Sequence, residues 1–422
     1  MEVLRLILRI TAIAFAACYS YQLFYLLVAL FRRSAPAGEG REHDYAVLIC
    51  ARNESSVIAD LIESIQNQTY PQEKLHIFVL ADNCTDDTAL VARVSGATVY
   101  ERSDRTLVGK GYALHTLLTS ISRDYPDGFD GYFVFDADNL LAPDYLEQMD
   151  RTFSAGHEIV TSRRNSKNYG DSWVSAGYAL WFLRESRYLN GARFTLGTSC
   201  SVSGTGFLFS RAVAQELCGW PFHTLTEDIE FSVFEITRGR KIAYCEKAEF
   251  FDEQPISFTQ SVRQRMRWSK GYLQVVGRYG RDLLHGIVRG SFSCWDMTMN
   301  ILPAFFLSTL SLVLDLALFT ACLLQGDSLF TALLPLLRSF GGAYLALFVP
   351  GAVTLLTEWR SIHTGTLRKL LSAFTFPLFM MTYLPITFAA LFCKVEWRPV
   401  SHTVSAECLR ERREQDRIPV RN

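Results

Sequence analysis

The sequence predicts an α/β domain on a Rossmann-like, mostly parallel sheet, joined to an α-helical transmembrane region. Three observations carry this. Residues 34–255 alternate short apolar runs with amphipathic stretches, carboxylates close several of those runs, and long apolar segments gather at the two ends of the chain. Of 422 residues 49% are hydrophobic, and the mean hydropathy of +0.11 is high for a soluble enzyme. The formal net charge of −1 gives no reason to invoke nucleic acid. The ten cysteines are scattered, several of them in apolar runs (Cys18, Cys322, Cys393), and none forms a Cys-x-x-Cys pair. They read as reduced, buried thiols instead of a zinc site or a disulfide framework.

The first apolar segment, Ile10–Leu30, is long enough to span a bilayer at roughly 20 residues per crossing. Arg32 and Arg33 follow it like a stop-transfer flank, which favours an anchor over a cleaved signal peptide. Ile301–Leu324, Leu329–Leu356 and Leu370–Cys393 read as three more spans, four in all. Lys/Arg bias puts Arg32, Arg33 and Arg41 in the cytosol, and Arg360, Arg368 and Lys369 carry the same signature. The tail is basic too, with Lys394, Arg398, Arg410, Arg412 and Arg413. A single full span cannot separate two cytosolic segments. Pro377 and Pro385 lie within the last apolar stretch, so a broken or re-entrant segment is open, and the side of the tail stays open with it.

In the middle, Tyr45–Cys50 has a buried-strand pattern. Ser55–Gln66 then carries Val57, Ile58, Leu61, Ile62 and Ile65 at helical spacing. His76–Ala81 is a second strand, Asp86–Val94 a helix, Thr98–Tyr100 a short strand, Gly109–Ile121 a helix and Tyr132–Phe135 a fourth strand. Strand and helix in alternation predict a parallel sheet with helices on both faces. Ligands of such sheets bind beyond the carboxyl ends of the strands, which directs attention to Ala51–Glu54, Asp82–Thr85 and Asp136–Asn139.

The strongest local signal is an apolar strand that runs into Asp136-Ala-Asp138. Two adjacent carboxylates repel unless a cation neutralises them, and a hard divalent ion accepts carboxylate oxygen on one side and diphosphate oxygen on the other. Turn chemistry alone also places Asp and Asn at strand ends. Asp82 ends the second strand, where a carboxylate can accept from a base imide or a ribose hydroxyl, and Asp86 and Asp87 favour the start of the next helix. Asn53 and Glu54 follow the first strand, with helix capping as the competing role. Gly109-Lys110-Gly111 opens a helix, where lysine and free N–H groups can meet phosphate. Gly204, Thr205 and Gly206 would let backbone approach a ligand. Thr226 reads as an N-cap followed by Glu227 and Asp228 in the first helical turn. A helix N-terminus favours an ionised carboxylate, which suits a general base and not a proton donor. Gln264, Arg267 and Trp268 lie in a basic amphipathic stretch, about 256–279, with Arg263, Arg265, Lys270 and Arg278. Its plain reading is a helix lying on anionic lipid.

Taken in order, Asp82, Asp136-x-Asp138, Thr226-Glu227-Asp228 and Gln264-x-x-Arg267-Trp268, with Lys110 and the Ser203–Gly206 turn, resemble the processive family 2 glycosyltransferases: cellulose, chitin, hyaluronan and poly-N-acetylglucosamine synthases. The resemblance covers roughly residues 45–275. It implies a GT-A catalytic domain over 34–255, after an N-terminal transmembrane helix at 1–33. Amphipathic interfacial helices at 256–299, transmembrane helices at 300–394 and a basic tail at 395–422 complete the chain. The implied donor site comprises Ala51, Asn53, Glu54, Asp82, Lys110 and Asp136, with Asp138 binding Mg2+ or Mn2+ at the diphosphate. Asp228 is implied as the general base, Glu227 as its orienting neighbour and Arg267 as the brace of the leaving group. Gly204, Thr205, Gly206, Gln264 and Trp268 are implied at the acceptor. The implied activity is inverting transfer of glucose or N-acetylglucosamine from a UDP-sugar to a growing β-linked glycan, in a cell-membrane protein with a cytosolic catalytic domain. Single transfer to a lipid acceptor is the alternative. The glycine-rich surroundings of Lys110 depart from the family pattern, which loosens that one assignment.

Overall fold

The computed structural model describes residues 2–32, 38–395, 404 and 407. Arg33 and the tail arginines Arg398, Arg410, Arg412 and Arg413 lie outside the described residues. Eight strands follow the chain: β1 Tyr45–Ala51, β2 Leu75–Asp82, β3 Thr98–Arg102, β4 Gly131–Asp136, β5 Leu140–Leu141, β6 Ile159–Ser166, β7 Phe207–Ser210 and β8 Ile242–Asp252. The catalytic-domain helices are α3 Ile58–Gln66, α4 Thr88–Val94, α5 Lys110–Asp124, α6 Tyr145–Ser154, α7 Trp173–Arg184, α8 Gly191–Thr195, α9 Arg211–Leu217 and α10 Glu227–Thr237. They are preceded by α1 Glu2–Tyr19 and α2 Tyr21–Phe31. The remainder is helical: α11 Phe258–Val288, α12 Phe292–Ile301, α13 Pro303–Leu324, α14 Leu329–Thr357, α15 Thr366–Met381 and α16 Tyr383–Phe392.

All strands belong to one sheet, ordered β3-β2-β1-β4-β7-β6-β8-β5. The four strands expected from the alternating pattern form its parallel half, with β1 between β2 and β4. The other half is mixed. β7 runs antiparallel to both β4 and β6, β8 runs parallel to β6, and β5 pairs antiparallel with β8. The reversal at β7 makes the sheet a GT-A half-barrel instead of a uniformly wound Rossmann sheet. Both faces are covered, as strands apolar on both sides require. Alternate residues of β1 separate accordingly: Val47 and Ile49 pack with Ile58, Leu61 and Ile62 of α3. Ala46 and Leu48 pack with Leu114, Leu117 and Ile121 of α5.

Among the described residues four segments are long and apolar enough to cross a membrane: Glu2–Phe31, Phe306–Leu324, Leu329–Thr357 and Thr366–Phe392. The first is two helices parted at Ser20, and it begins earlier than the expected Ile10. The last is parted at Thr382. Pro385 explains that break, because its missing N–H and its ring remove the bond to the carbonyl four residues earlier, Met381. The catalytic domain holds the ends of these helices. Arg32, after α2, pairs with Glu246 and donates to Gly191 O. Glu358, after α14, pairs with Arg163 and, at 2.7 Å, with Arg187. Tyr21 and Tyr25 of α2 donate to Asp296 of α12 at 2.7 and 2.9 Å, and Asp296 also receives Arg193.

Three cations of the basic stretch are engaged by the protein itself. Arg265 is fully buried, donating to Phe379 O at 3.1 Å and Thr382 Oγ1 at 2.7 Å, with its guanidinium over the Phe379 ring. Lys270 donates to Ala390 O, and Arg278 to Glu230 Oε1 at 2.6 Å. Two of these cations meet carbonyls at the C-terminal ends of α15 and α16. Phe379 O also takes the Thr382 N–H at 3.2 Å, and the dipole at a helix C-terminus favours positive charge. The nine described cysteines are all free thiols, but against expectation only Cys200, Cys245, Cys294 and Cys322 are buried, while Cys218 and Cys393 are exposed.

Candidate active site

The carboxyl edge of the parallel strands opens into one cavity of about 1430 Å3. Asp82, Asp138, Asp228 and Arg267, which come from four distant parts of the sequence, all line it, as do Ala51, Glu54, Lys110, Asp136, Gly204, Glu227, Gln264 and Trp268. Three expected site residues are outside it, each for a local reason. Asn53 is exposed in a left-handed turn (φ 59°), where its Oδ1 accepts the Thr85 N–H at 2.8 Å and ties two strand-end loops together. Thr205 is buried. Its hydroxyl accepts the Asp136 N–H at 2.8 Å and donates to Asn139 Oδ1, so it fixes the aspartate loop. Gly206 (φ 66°) lies where any Cβ would fall 2.2 Å from Phe250, so core packing excludes a side chain there.

Lys110 opens α5 and reaches across to β4. Its ammonium pairs with Asp136 and donates to Gly204 O at 2.8 Å. It therefore bridges the strand-end aspartate to the glycine turn. A side chain at Gly204 would lie 3.8 Å from Asp228 Oδ2, which places that turn beside the expected base. Asp82 is held by Arg102 at 3.0 Å and by the Asn83 amide. Burial nonetheless raises its carboxyl above the ordinary range, with Arg102 and Arg52 opposing.

Glu227 and Asp228 occupy the first turn of α10. Thr226 stands at the cap position but makes no side-chain cap bond, and its hydroxyl is buried without a partner. The expectation that the helix N-terminus would hold Asp228 readily ionised is corrected. Burial raises its carboxyl and outweighs the Ile229 N–H, Arg267 and Lys110, all of which lower it. Glu227 is pushed up to about 7, first by burial and then by the neighbouring Asp228 charge. A group that holds its proton more tightly is the stronger base once ionised. Arg267 donates to Leu225 O at 2.9 Å, in the turn before the pair. Trp268 meets Tyr178 and Phe182 edge-on, at 5.7 and 6.3 Å between ring centres.

Two features escaped the sequence reading. Asp252 closes β8 as Asp136 closes β4. It is buried, pairs with Arg164 and accepts from Gln254 Nε2 at 2.6 Å. Burial raises its carboxyl, Arg164 lowers it and Asp138 raises it further. The strand-end rule would have found it had β8 been recognised. Glu185 lines the same cavity from a single π-helical turn, Glu185–Asn190, and accepts from Ser203 Oγ at 3.2 Å. Such turns recur at functional sites, but no local sequence signal marks this one.

Among the described residues no cluster of three His, Cys, Asp or Glu side chains forms a ready-made metal cage. The donor chemistry does fit a hard divalent ion. Asp138 and Asp252 are close enough for their charges to interact. With both oxygens of Asp252 engaged, by Arg164 and Gln254, Asp138, which lines the cavity, is the candidate ligand and Asp252 its charged neighbour. All the donors are oxygen, as Mg2+ and Mn2+ prefer.

Beyond this polar chamber the cavity continues between the apolar helices, lined by Leu8 and Phe15 of α1, Leu312 of α13, Leu345 and Val349 of α14 and Leu384 of α16, with Asp315, Arg338 and Ser339 among them.

A family profile described as "Glycosyltransferase like family 2" matches residues 43–271. A beta-monoglucosyldiacylglycerol synthase of Nostoc sp. is 25% identical over 279 residues, 63% of this chain. A probable glycosyltransferase of Bacillus subtilis is 25% identical over 256 residues, 56% of this chain. The chain spans 56% of the length of each. A mannosyltransferase from Pyrobaculum calidifontis, solved with GDP-Man and Mn2+, has a similar fold at 18% identity. Its TM-score is 0.59, over 91% of this chain and 99% of that one.

Proposed function

The chain belongs to glycosyltransferase family 2, and from that premise we propose that it moves a sugar from a nucleotide-diphosphate donor to a lipid acceptor at the membrane surface, with inversion. The observation that carries this reading is the continuity of one cavity, from Asp138 and Asp228 to the apolar side chains of α1, α13, α14 and α16. A lipid must place its hydroxyl at the chemistry and its chains in an apolar space, and this cavity offers both. A growing glycan would be better served by polar and aromatic walls along its path, and Trp268, Tyr272, Tyr383, Asp315 and Arg338, which also line the cavity, favour that second reading. The curated relatives named as glucosyldiacylglycerol synthases point the same way.

In this mechanism Asp82 and Asp136 hold the nucleoside. Asp138 would hold Mg2+ or Mn2+, which when bound offsets charge on the diphosphate. Arg267, braced by Leu225 O, supplies further positive charge beside the leaving group, and preorganised charge of this kind is usually the largest catalytic contribution. Asp228 takes the proton of the acceptor hydroxyl as that oxygen attacks the anomeric carbon from the face opposite the diphosphate. Glu227 orients the acceptor and its loop. Lys110 keeps Asp136 and the Gly204 turn in register. The catalytic face is cytosolic in this reading, because Arg32, Arg360 and Arg368 lie beside it.

The test is a donor panel (UDP-glucose, UDP-N-acetylglucosamine, GDP-mannose) with the purified chain in nanodiscs containing diacylglycerol. A single glycolipid by mass spectrometry is the expected product. A ladder or high polymer formed without lipid dependence would overturn the lipid reading in favour of a polymerase. Ala346→Trp, which fills the apolar arm, should abolish transfer to lipid while donor binding persists.

A further inference from the structure

We propose that the fourth apolar segment, Thr366–Phe392, does not cross the membrane, and that the chain at Val404 lies on the same face as the catalytic domain. By length and composition this segment qualifies as a span, but its anchoring forms a closed path. At its start, Arg368 donates to Gly170 O at 3.1 Å. Beyond its end, Val404 O accepts from Lys167 Nζ at 2.9 Å. Gly170 and Lys167 belong to one short loop between β6 and α7. A segment that departs from and returns to one loop of a soluble domain crosses a bilayer an even number of times. Twenty-seven residues broken at Thr382 are too few for two crossings at roughly 20 residues each.

The packing shows how the segment lies. α15 runs along α7: Tyr169 OH bonds Ser372 Oγ at 2.7 Å near one end, and Phe379 covers Gly177 near the other. Its buried side carries Lys369, Ser372, Ala373 and Phe376. Leu367, Leu370, Leu371, Phe374 and Leu378 are exposed at helical spacing. An outward apolar face and a docked face that carries Lys369 and Ser372 suit a helix in the membrane plane as well as one that crosses it, and the closed path selects the first. α16, ten residues long, cannot span alone, and it follows α11 from Arg265, bonded at Thr382, to Lys270, bonded at Ala390. The inference also removes the charge conflict, since the cations after α2, after α14 and at Lys394 then share one face.

The return has a chemical address. Val404 N donates to Glu253 Oε2 at 2.8 Å, and the Glu253 backbone N–H donates to Asp138 Oδ2 at 2.8 Å. Val404 is thereby seated on the loop that holds the proposed metal aspartate. None of this depends on the identity of the acceptor.

The test uses sealed vesicles of both orientations, an impermeant maleimide and single-cysteine chains. Cys218, exposed on the catalytic domain, reports one face, and Asp327→Cys, in the α13–α14 turn, reports the other. Cys393, also exposed, should label with Cys218. Labelling with Asp327→Cys would overturn the proposal. If the cysteine-depleted chain does not fold, a side-sensitive fluorescent reporter fused after Asn422 of the native sequence gives the same readout, active on the Cys218 face if the proposal holds and on the opposite face if it fails.

Discussion

The backbone N–H of Glu253 donates to Asp138 Oδ2 at 2.8 Å, so the tip of β8 holds the last aspartate of the β4 motif. One carboxylate oxygen is thus held by the backbone of the β8 tip, on a residue that lines the cavity. Asp138→Asn keeps an oxygen for Glu253 but removes the charge. Nucleotide affinity in the presence of Mg2+ or Mn2+ should fall by more than the roughly 10–100-fold that loss of a metal's outer-shell partner costs, whereas affinity in chelator should change little. Isothermal calorimetry with and without the cation checks it.

Asp228→Asn should lower kcat by about 10²–10⁴-fold, the usual share of a general base, with the donor dissociation constant unchanged. Single-turnover transfer and donor calorimetry on the same preparation separate the two. A loss under tenfold would remove Asp228 from the role.

The raised Glu227 carboxyl has a stability consequence. Its shift from 4.5 to about 7 means that the folded chain keeps a proton the unfolded chain has released over that range. The stability it contributes is full below about 4.5 and is lost as pH rises through about 7. Glu227→Gln should flatten this slope, so the unfolding temperature of the variant should drop less than that of the parent on going from acid to mildly alkaline buffer. Turnover of the parent should rise with pH across neutrality, as the acidic pair loses its last proton.

Arg193 and Asp296 form a buried bidentate pair at 2.7 and 3.1 Å, joined by two tyrosines of α2. Asp296→Ala leaves a buried guanidinium uncompensated and should cost about 3–5 kcal/mol, read as a lowered unfolding temperature in detergent. Because the pair links α2, α8 and α12, the same variant should raise protease sensitivity at Arg32.

Arg265→Gln removes the cation that meets the broken end of α15. Loss of a charge-assisted hydrogen bond is worth about 1.5–3 kcal/mol, and the loss should appear as faster hydrogen exchange confined to Thr366–Phe392. Arg263→Gln, on the exposed side of α11, should leave exchange there unchanged.

The parallel half of the fold was legible because buried strands and amphipathic helices write their periods into the chain. Tyr45–Ala51 and Ile58–Gln66 fall close to where their apolar spacing puts them. The antiparallel β7 was not legible. Its four residues, Phe207–Ser210, are too few to show a period, and their direction is set by partners far away in sequence. Asp252 was hidden for a related reason, since β8 pairs with β6 across a register shift that no local pattern reports. Thr205 and Gly206 illustrate the converse: a glycine-rich turn that promised ligand contact serves Asp136 and Phe250 instead.

By itself the sequence determined the alternating α/β core, the apolar ends and the residue types of the candidate site, because periodicity, hydropathy and strand-end chemistry act over a few neighbouring residues. Only the tertiary structure decided that Asp82, Asp138, Asp228 and Arg267 share one cavity, that this cavity runs on between apolar helices, and that burial overrides the helix N-terminus at Asp228. Dielectric surroundings, cavity shape and the partners of Arg265 depend on segments a hundred or more residues apart, and those distances close only when the chain folds.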